Sequence, residues 1–162
     1  REAIQKTILS PDDALPADVK TRLEGRVAVH DFNKFWEMMR KRPGSIRPPL
    51  TEEQRRKKPP VEQPIFRVHP ITGRKVLYCN PGYAIRIVGM EPAESDAMLE
   101  FLFRHQSQDK YLHSHHWTPK DLLMWDNIGT IHNAVADYRP DEPRFILRVQ
   151  VMATLDYSRL AA

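Results

Sequence analysis

Cysteine is almost missing from this chain: Cys79 is the single one in 162 residues. No internal disulfide can form, and the apolar neighbours of the thiol suggest a buried group in a reducing compartment. No run of 18 or more apolar residues occurs, which excludes a membrane-spanning helix. The first residues carry no secretory signal pattern. Together these absences lead us to expect a cytoplasmic protein with no membrane partner. The start, Arg1-Glu2-Ala3, also lacks an initiator methionine, so the chain is expected to begin part-way along a longer polypeptide.

The length suits a single domain over residues 1–162, and a hydrophobic fraction of 41% is sufficient for a core. A net charge of +4 raises the question of nucleic acid, but the charge is concentrated. Residues 40–58 hold Arg40, Lys41, Arg42, Arg47, Arg55, Arg56, Lys57 and Lys58 against Glu52 and Glu53. Six prolines punctuate residues 41–64. We read 40–64 as a basic, proline-rich loop or lid with few apolar anchors. Interleaved aromatics for base stacking are absent there, which argues against nucleic acid.

Elements follow from punctuation and period. Ser10-Pro11-Asp12-Asp13 is a plausible helix entry; Pro16 restarts it, and a helix over Ala17–Leu23 ends at Gly25. Residues 27–32 read as a short extended or turn segment, and Phe35, Trp36, Met38 and Met39 cluster at helical spacing. Residues 65–69 and 75–78 flank the turn at Pro70–Arg74 and predict a hairpin. Residues 84–88 are short and β-branched. The clearest helix spans 92–105, opened by Pro92, with Ala97, Met98, Phe101, Leu102 and His105 on one stripe. The apolar run Asp121–Trp125 and the alternating stretch from Arg144 to Thr154 read as strands. Many short strands with little parallel-sheet rhythm argue for a barrel or jelly roll with peripheral helices.

The candidate chemistry lies late in the chain. His132 closes the segment Trp125-Asp126-Asn127-Ile128-Gly129-Thr130-Ile131-His132, and Arg144 and Arg148 follow. An imidazole can ligate Fe(II), and an arginine further along can grip the carboxylate of a co-substrate chelated to the same metal. On a strand, residues 144, 146 and 148 share one face. His113, His115 and His116 lack a cysteine or carboxylate at metal-site spacing and read as a solvated loop.

The stretch from Leu77 to Met152 resembles the C-terminal half of the taurine dioxygenase (TauD/TfdA) family of Fe(II)/2-oxoglutarate oxygenases. The matching pieces are Leu77-Tyr78-Cys79-Asn80-Pro81-Gly82-Tyr83, Arg86-Ile87-Val88-Gly89-Met90, Trp117 to Pro119, the block from Trp125 to His132, Ala136-Asp137-Tyr138 and the spaced arginines. Upstream, Arg22-Leu23-Glu24-Gly25 and His30-Asp31-Phe32 also fit. The resemblance implies a mainly-β fold with peripheral helices, a double-stranded β-helix (jelly roll) lacking its N-terminal part.

It further implies Fe(II), 2-oxoglutarate and O2 as cofactor and co-substrates, with hydroxylation of a small anionic substrate. Sulfonates, sulfate esters, aryloxyalkanoates and carboxylates all stay open. His132 matches the distal metal ligand, its imidazole neutral. Arg144 matches the arginine on the 2-oxoglutarate C5 carboxylate, where a guanidinium fork is bidentate. Arg148 matches a second arginine that faces co-substrate or substrate, and its burial would call for an anionic partner. Phe32 and Tyr83 sit where members place pocket aromatics, Trp125 packs beneath the metal, and Thr130 is a polar neighbour. The family's iron also takes a His-x-Asp pair. Here His30 is followed by Asp31 and Phe32, His69 by Pro70 and Ile71, and His132 by Asn133 and Ala134. That departure keeps a non-catalytic cupin-like binding module as a second reading, with a nucleic-acid-binding domain using residues 40–58 as a third. A homo-oligomer is expected.

Overall fold

The computed structural model describes residues 3–8, 14–134 and 145–151. Among them, eight strands and four α-helices follow one another along the chain. The strands form three antiparallel groups rather than one continuous sheet.

The first helix, α1 (Ala17–Leu23), starts after Pro16 and points Leu23 fully into the core. It stops where Gly25 takes a positive φ of 71°, a conformation that costs a glycine little. The chain then enters β2 (Val27–His30), which lies between β3 (Val61–Pro64) and β6 (Ala84–Ile87). A register shift between Val29 and His30 turns the end of β2 away from its neighbour. Asp31 then caps α2 (Phe32–Arg40) by accepting the Asn33 amide at 2.8 Å.

Residues 40–64 are not the uninterrupted loop expected from their prolines. They contain α3 (Glu52–Lys57) and the strand β3. Thr51 and Gln54 form a reciprocal capping box, and the pairs Glu52–Arg56 and Glu53–Lys57 run along one exposed side. Local capping and i,i+4 pairing therefore build this helix with no buried face. Leu50 is the single buried side chain between residues 40 and 64.

The expected hairpin forms, with β4 (Phe66–Val68) paired to β5 (Lys75–Leu77). The long helix is α4 (Pro92–Gln106), and Pro92 opens it as expected. Its buried stripe is rotated from the predicted one. Ser95, Met98, Leu99, Leu102, His105 and Gln106 face inward, while Ala97 is exposed. Two buried polar side chains explain the rotation, because each answers an orphan backbone group. Ser95 Oγ accepts the Ile87 amide at 2.8 Å, and Gln106 Nε2 donates to the Cys79 carbonyl at 2.8 Å. The core beneath α4 joins Leu23, Ala28, Ile65, Leu77, Cys79, Ala84 and Ile87 to Met98, Leu99 and Leu102.

The third sheet sets β1 (Ala3–Ile8) between β7 (Leu112–His116) and β8 (Thr130–Ala134). The histidine cluster thus lies on a strand rather than in a loop. His115 Nε2 sits 3.2 Å from Asp121 Oδ2, and its ring meets Trp117 edge-on at 4.9 Å. Among the described residues, two expected strands, 121–125 and the 145–151 part of 144–154, carry no strand pairing. Leu122, Met124, Phe145, Leu147, Val149 and Val151 are all more than 80% exposed. Ile146 is less exposed, at 38%. A strand needs a neighbour to fill its hydrogen bonds, so apolar alternation alone is insufficient.

Candidate active site

A cavity of about 330 Å³ opens between the β3–β2–β6 sheet and the start of β8. His30 and Phe32 line it from the β2–α2 junction, Pro59 from the segment leading into β3, and Val61 and Gln63 from β3 itself. Tyr78, Cys79, Asn80 and Tyr83 come from the chain between β5 and β6, and Asn127, Thr130 and Ile131 from the turn into β8. Phe32 and Tyr83 thus line the same cavity. Phe35 stacks on Tyr83 at 5.2 Å between centroids, and Phe32 lies 6.4 Å from Tyr83. Lys58 Nζ sits 3.9 Å from the centre of the Phe32 ring, a cation–π contact at the cavity wall.

The Asn80–Tyr83 turn is tied by its own atoms. Asn80 Oδ1 accepts the Gly82 amide at 2.8 Å, and the Asn80 carbonyl accepts the amides of Tyr83 and Ala84. Cys79 is fully buried beside it, and burial pushes its thiol up to about 12. Because the thiolate is the reactive form, Cys79 in the native protein should resist iodoacetamide at pH 8. It should label rapidly once denaturant unfolds the chain. Fast labelling of native protein, followed by mass spectrometry, would contradict this burial.

Residue His132 follows the lining residue Ile131 on β8 and is half-buried. The Trp125 ring packs against its imidazole at 4.9 Å and 50°. Burial, and then the charge of Arg148, lower the basicity of His132. Both favour the neutral ring that offers a lone pair to a metal. Arg148 is therefore close enough for its charge to be felt, although it is exposed rather than buried, because residues 145–151 form no strand. Arg144 lies outside the described residues.

Among the described residues, no group of three or more histidines, cysteines or carboxylates could hold a metal ion. His132 fits one corner of such a centre. The described residues do not complete the donor set.

Three site residues were not singled out from the sequence. His30 lines the cavity with its ring stacked on Tyr78 (5.9 Å, 9° between planes), and its Nε2 is buried with no partner. Burial and the nearby Lys34 ammonium both lower its basicity, so a neutral ring faces the cavity. Asp126 and His69 are the other two, joined at 2.8 Å between Oδ2 and Nε2. In the sequence Asp126 is part of the Trp125–His132 block, and His69 ends the expected 65–69 strand and starts no His-x-Asp pair. No local pattern links residues that the fold brings together from a hairpin turn and a distant loop.

Comparison with known proteins matches this picture. The profile of the "Taurine catabolism dioxygenase TauD, TfdA family" matches residues 13–150. An alpha-ketoglutarate-dependent 2,4-dichlorophenoxyacetate dioxygenase from Cupriavidus pinatubonensis is 34% identical over 74% of this chain and 39% of its own length. Pentalenolactone F synthase from Streptomyces avermitilis is 30% identical over 85% of this chain and 46% of its own. The chain thus spans less than half the length of these curated relatives. Among solved structures, AAD-2 in complex with Mn(II) and N-oxalylglycine aligns with a TM-score of 0.73 and 28% identity, covering 89% of this chain and 54% of that one. A taurine dioxygenase from Burkholderia xenovorans aligns at 0.62 with 30% identity, covering 82% of this chain and 40% of that one. These solved structures agree with a mainly-β fold, and no described helix is long and apolar enough to cross a membrane. With its sequence matched from residue 13 to residue 150, the chain belongs to the TauD/TfdA family of taurine catabolism dioxygenases.

Proposed function

We propose that the whole protein is an Fe(II)- and 2-oxoglutarate-dependent dioxygenase acting on a small anionic organic substrate. The balanced reaction takes substrate, 2-oxoglutarate and O2 to hydroxylated substrate, succinate and CO2. That chemistry belongs to the metal and co-substrate, and the protein contributes binding, orientation and exclusion of water. The observation that carries the reading is a half-buried His132, packed at a tilt against Trp125 and next in sequence to a cavity wall, where burial lowers its basicity.

In this reading His132 is one metal ligand, and Arg144 and Arg148 serve the anionic groups of co-substrate and substrate. Phe32 and Tyr83 hold the substrate's apolar part. The Mn(II) and N-oxalylglycine in the AAD-2 structure support the cofactor assignment, as a metal and a structural mimic of 2-oxoglutarate. The names of the relatives support an aryloxyalkanoate or sulfonate class of substrate. We take the whole-protein fold to be the double-stranded β-helix, a reading supported by the likeness to the solved structures. A homo-oligomer draws support from the seven large exposed apolar side chains among the described residues of 121–151, which call for a cover. A cytoplasmic setting draws support from the lone, buried, unreactive thiol.

The test is succinate release from 2-oxoglutarate by the full-length protein, over a panel of sulfonates, aryloxyalkanoates and plain carboxylates. Release that needs both Fe(II) and one panel member is expected. No release with any of them would favour the cupin-like binding module, whose supporting observation is the incomplete donor set among described residues. The nucleic-acid reading loses ground on α3, where two of the basic side chains are already paired with Glu52 and Glu53.

A further inference from the structure

We infer that His69 and Asp126 are positioning residues that fix the turn from which His132 and the Asn127–Ile131 cavity wall are presented. The inference rests on the proposed role of His132, but its geometry stands independently. Asp126 is a hub of three hydrogen bonds. Its Oδ1 accepts the Ile128 amide at 2.9 Å, and its Oδ2 accepts the Gly129 amide at 2.7 Å and His69 Nε2 at 2.8 Å.

The tautomer of His69 follows from its other nitrogen. Nδ1 accepts the amides of Ile71 and Thr72 at 3.3 and 3.2 Å, so the ring carries its hydrogen on Nε2 and donates to Asp126. His69 is itself held rigidly. Its amide donates to the Arg74 carbonyl, its carbonyl accepts the Gly73 amide, and only 8% of it is exposed. The hairpin bearing it is closed at its base by the Tyr78 amide on the Ile65 carbonyl, and the Ile65 amide ties it to the Arg26 carbonyl at 3.0 Å, with Ile65 and Leu77 in the core.

The other side of the bond needs such an anchor. The chain before Asp126 forms no strand, and β8 lies at the outside of its sheet, paired to β1 on one side. The carboxylate thus joins the core-anchored hairpin to the entry of an edge strand. Gly129 fits the same design. A Cβ there would lie 2.7 Å from Asp126 Oδ2 and 3.7 Å from His69 Cδ2. Any larger residue must displace the carboxylate from its partners.

The test uses the full-length protein and two independent variants, His69→Phe and Gly129→Ala, with His69→Gln as a variant that retains a side-chain donor. Amide hydrogen exchange at Ile128, Gly129 and residues 130–134 should quicken about ten- to a hundredfold in the first two, the effect of losing a hydrogen bond to a charged group. His69→Gln should recover most of that protection. The concentrations of Fe(II) and 2-oxoglutarate at half-maximal succinate release should rise about tenfold, as for a lost outer partner of a metal ligand. The saturated rate should change little. If both variants leave exchange across 128–134 at the wild-type rate, the inference fails. Exchange that quickens with unchanged half-maximal concentrations would also overturn it, since the turn would then not position the site. A wild-type protein that releases no succinate would sink the dioxygenase reading alone, because the exchange arm still decides whether the pair fixes this turn.

Discussion

Replacing His132 with alanine in the full-length protein is expected to lower Fe(II)-dependent succinate release at least a hundredfold, roughly the upper end of what losing even an outer partner of a metal ligand costs. The ring packs at a tilt against Trp125 and is made less basic by burial and by Arg148. A buried imidazole with lowered basicity keeps its lone pair at neutral pH, which a metal ligand needs and a surface cation does not. Truncation also leaves a gap beside Trp125, so circular dichroism and melting should be recorded alongside. Turnover within about threefold of wild type in a folded variant would make His132 an ordinary packed histidine. The acid side has a definite sign. Burial lowers the folded-state pKa below the ordinary 6.5, so protons favour the unfolded chain. Stability from this group is complete above that value and declines as pH falls through 6.5 toward the lower folded pKa.

Leu102→Ala should be the most damaging single truncation, costing about 2–5 kcal/mol. Leu102 is fully buried on α4, among Leu99, Met98, Ile65 and Leu77. The cost combines lost transfer energy with a void that close-packed neighbours cannot fill. Against a typical total of roughly 5–15 kcal/mol, that is a large share, and urea titration at 25 °C would read it directly. Phe101, one residue earlier, is only partly buried against the same core, so Phe101→Ala should cost clearly less. Equal losses at the two positions would mean that α4 sits in another rotation than its hydrogen bonds to Ile87 and Cys79 imply.

Elements with strong local signals were legible from the residues alone. Pro16 and Gly25 bound α1, Pro92 opens α4, and the Pro70–Arg74 turn predicts the β4–β5 pairing. Phe32 and Tyr83, singled out from the family-like segments, both line the cavity. The misses have physical causes. The prolines around α3 mask a helix whose capping box, Thr51 with Gln54, is local and complete. Residues 121–125 are an apolar run and 145–151 are rich in β-branched and apolar residues, but strand formation depends on a partner that neither pattern can supply. Nothing in the local sequence foretold β1, which holds β7 and β8 together. The His69–Asp126 bond was invisible because it joins a hairpin turn to a distant loop, and only tertiary contact creates it.

The segment from residue 40 to residue 64 contributes Pro59, Val61 and Gln63 to the cavity, yet it sinks just one side chain, Leu50, into the interior. One side of the binding chamber is therefore nearly uncoupled from the stability of the domain. Substitutions there escape the penalty that close packing imposes on Leu102 or Ile65, so chamber shape is free to diverge while the scaffold stays fixed. Chemical preference in close kin of this chain should accordingly vary with those three positions and with Lys58, whose ammonium rests on Phe32.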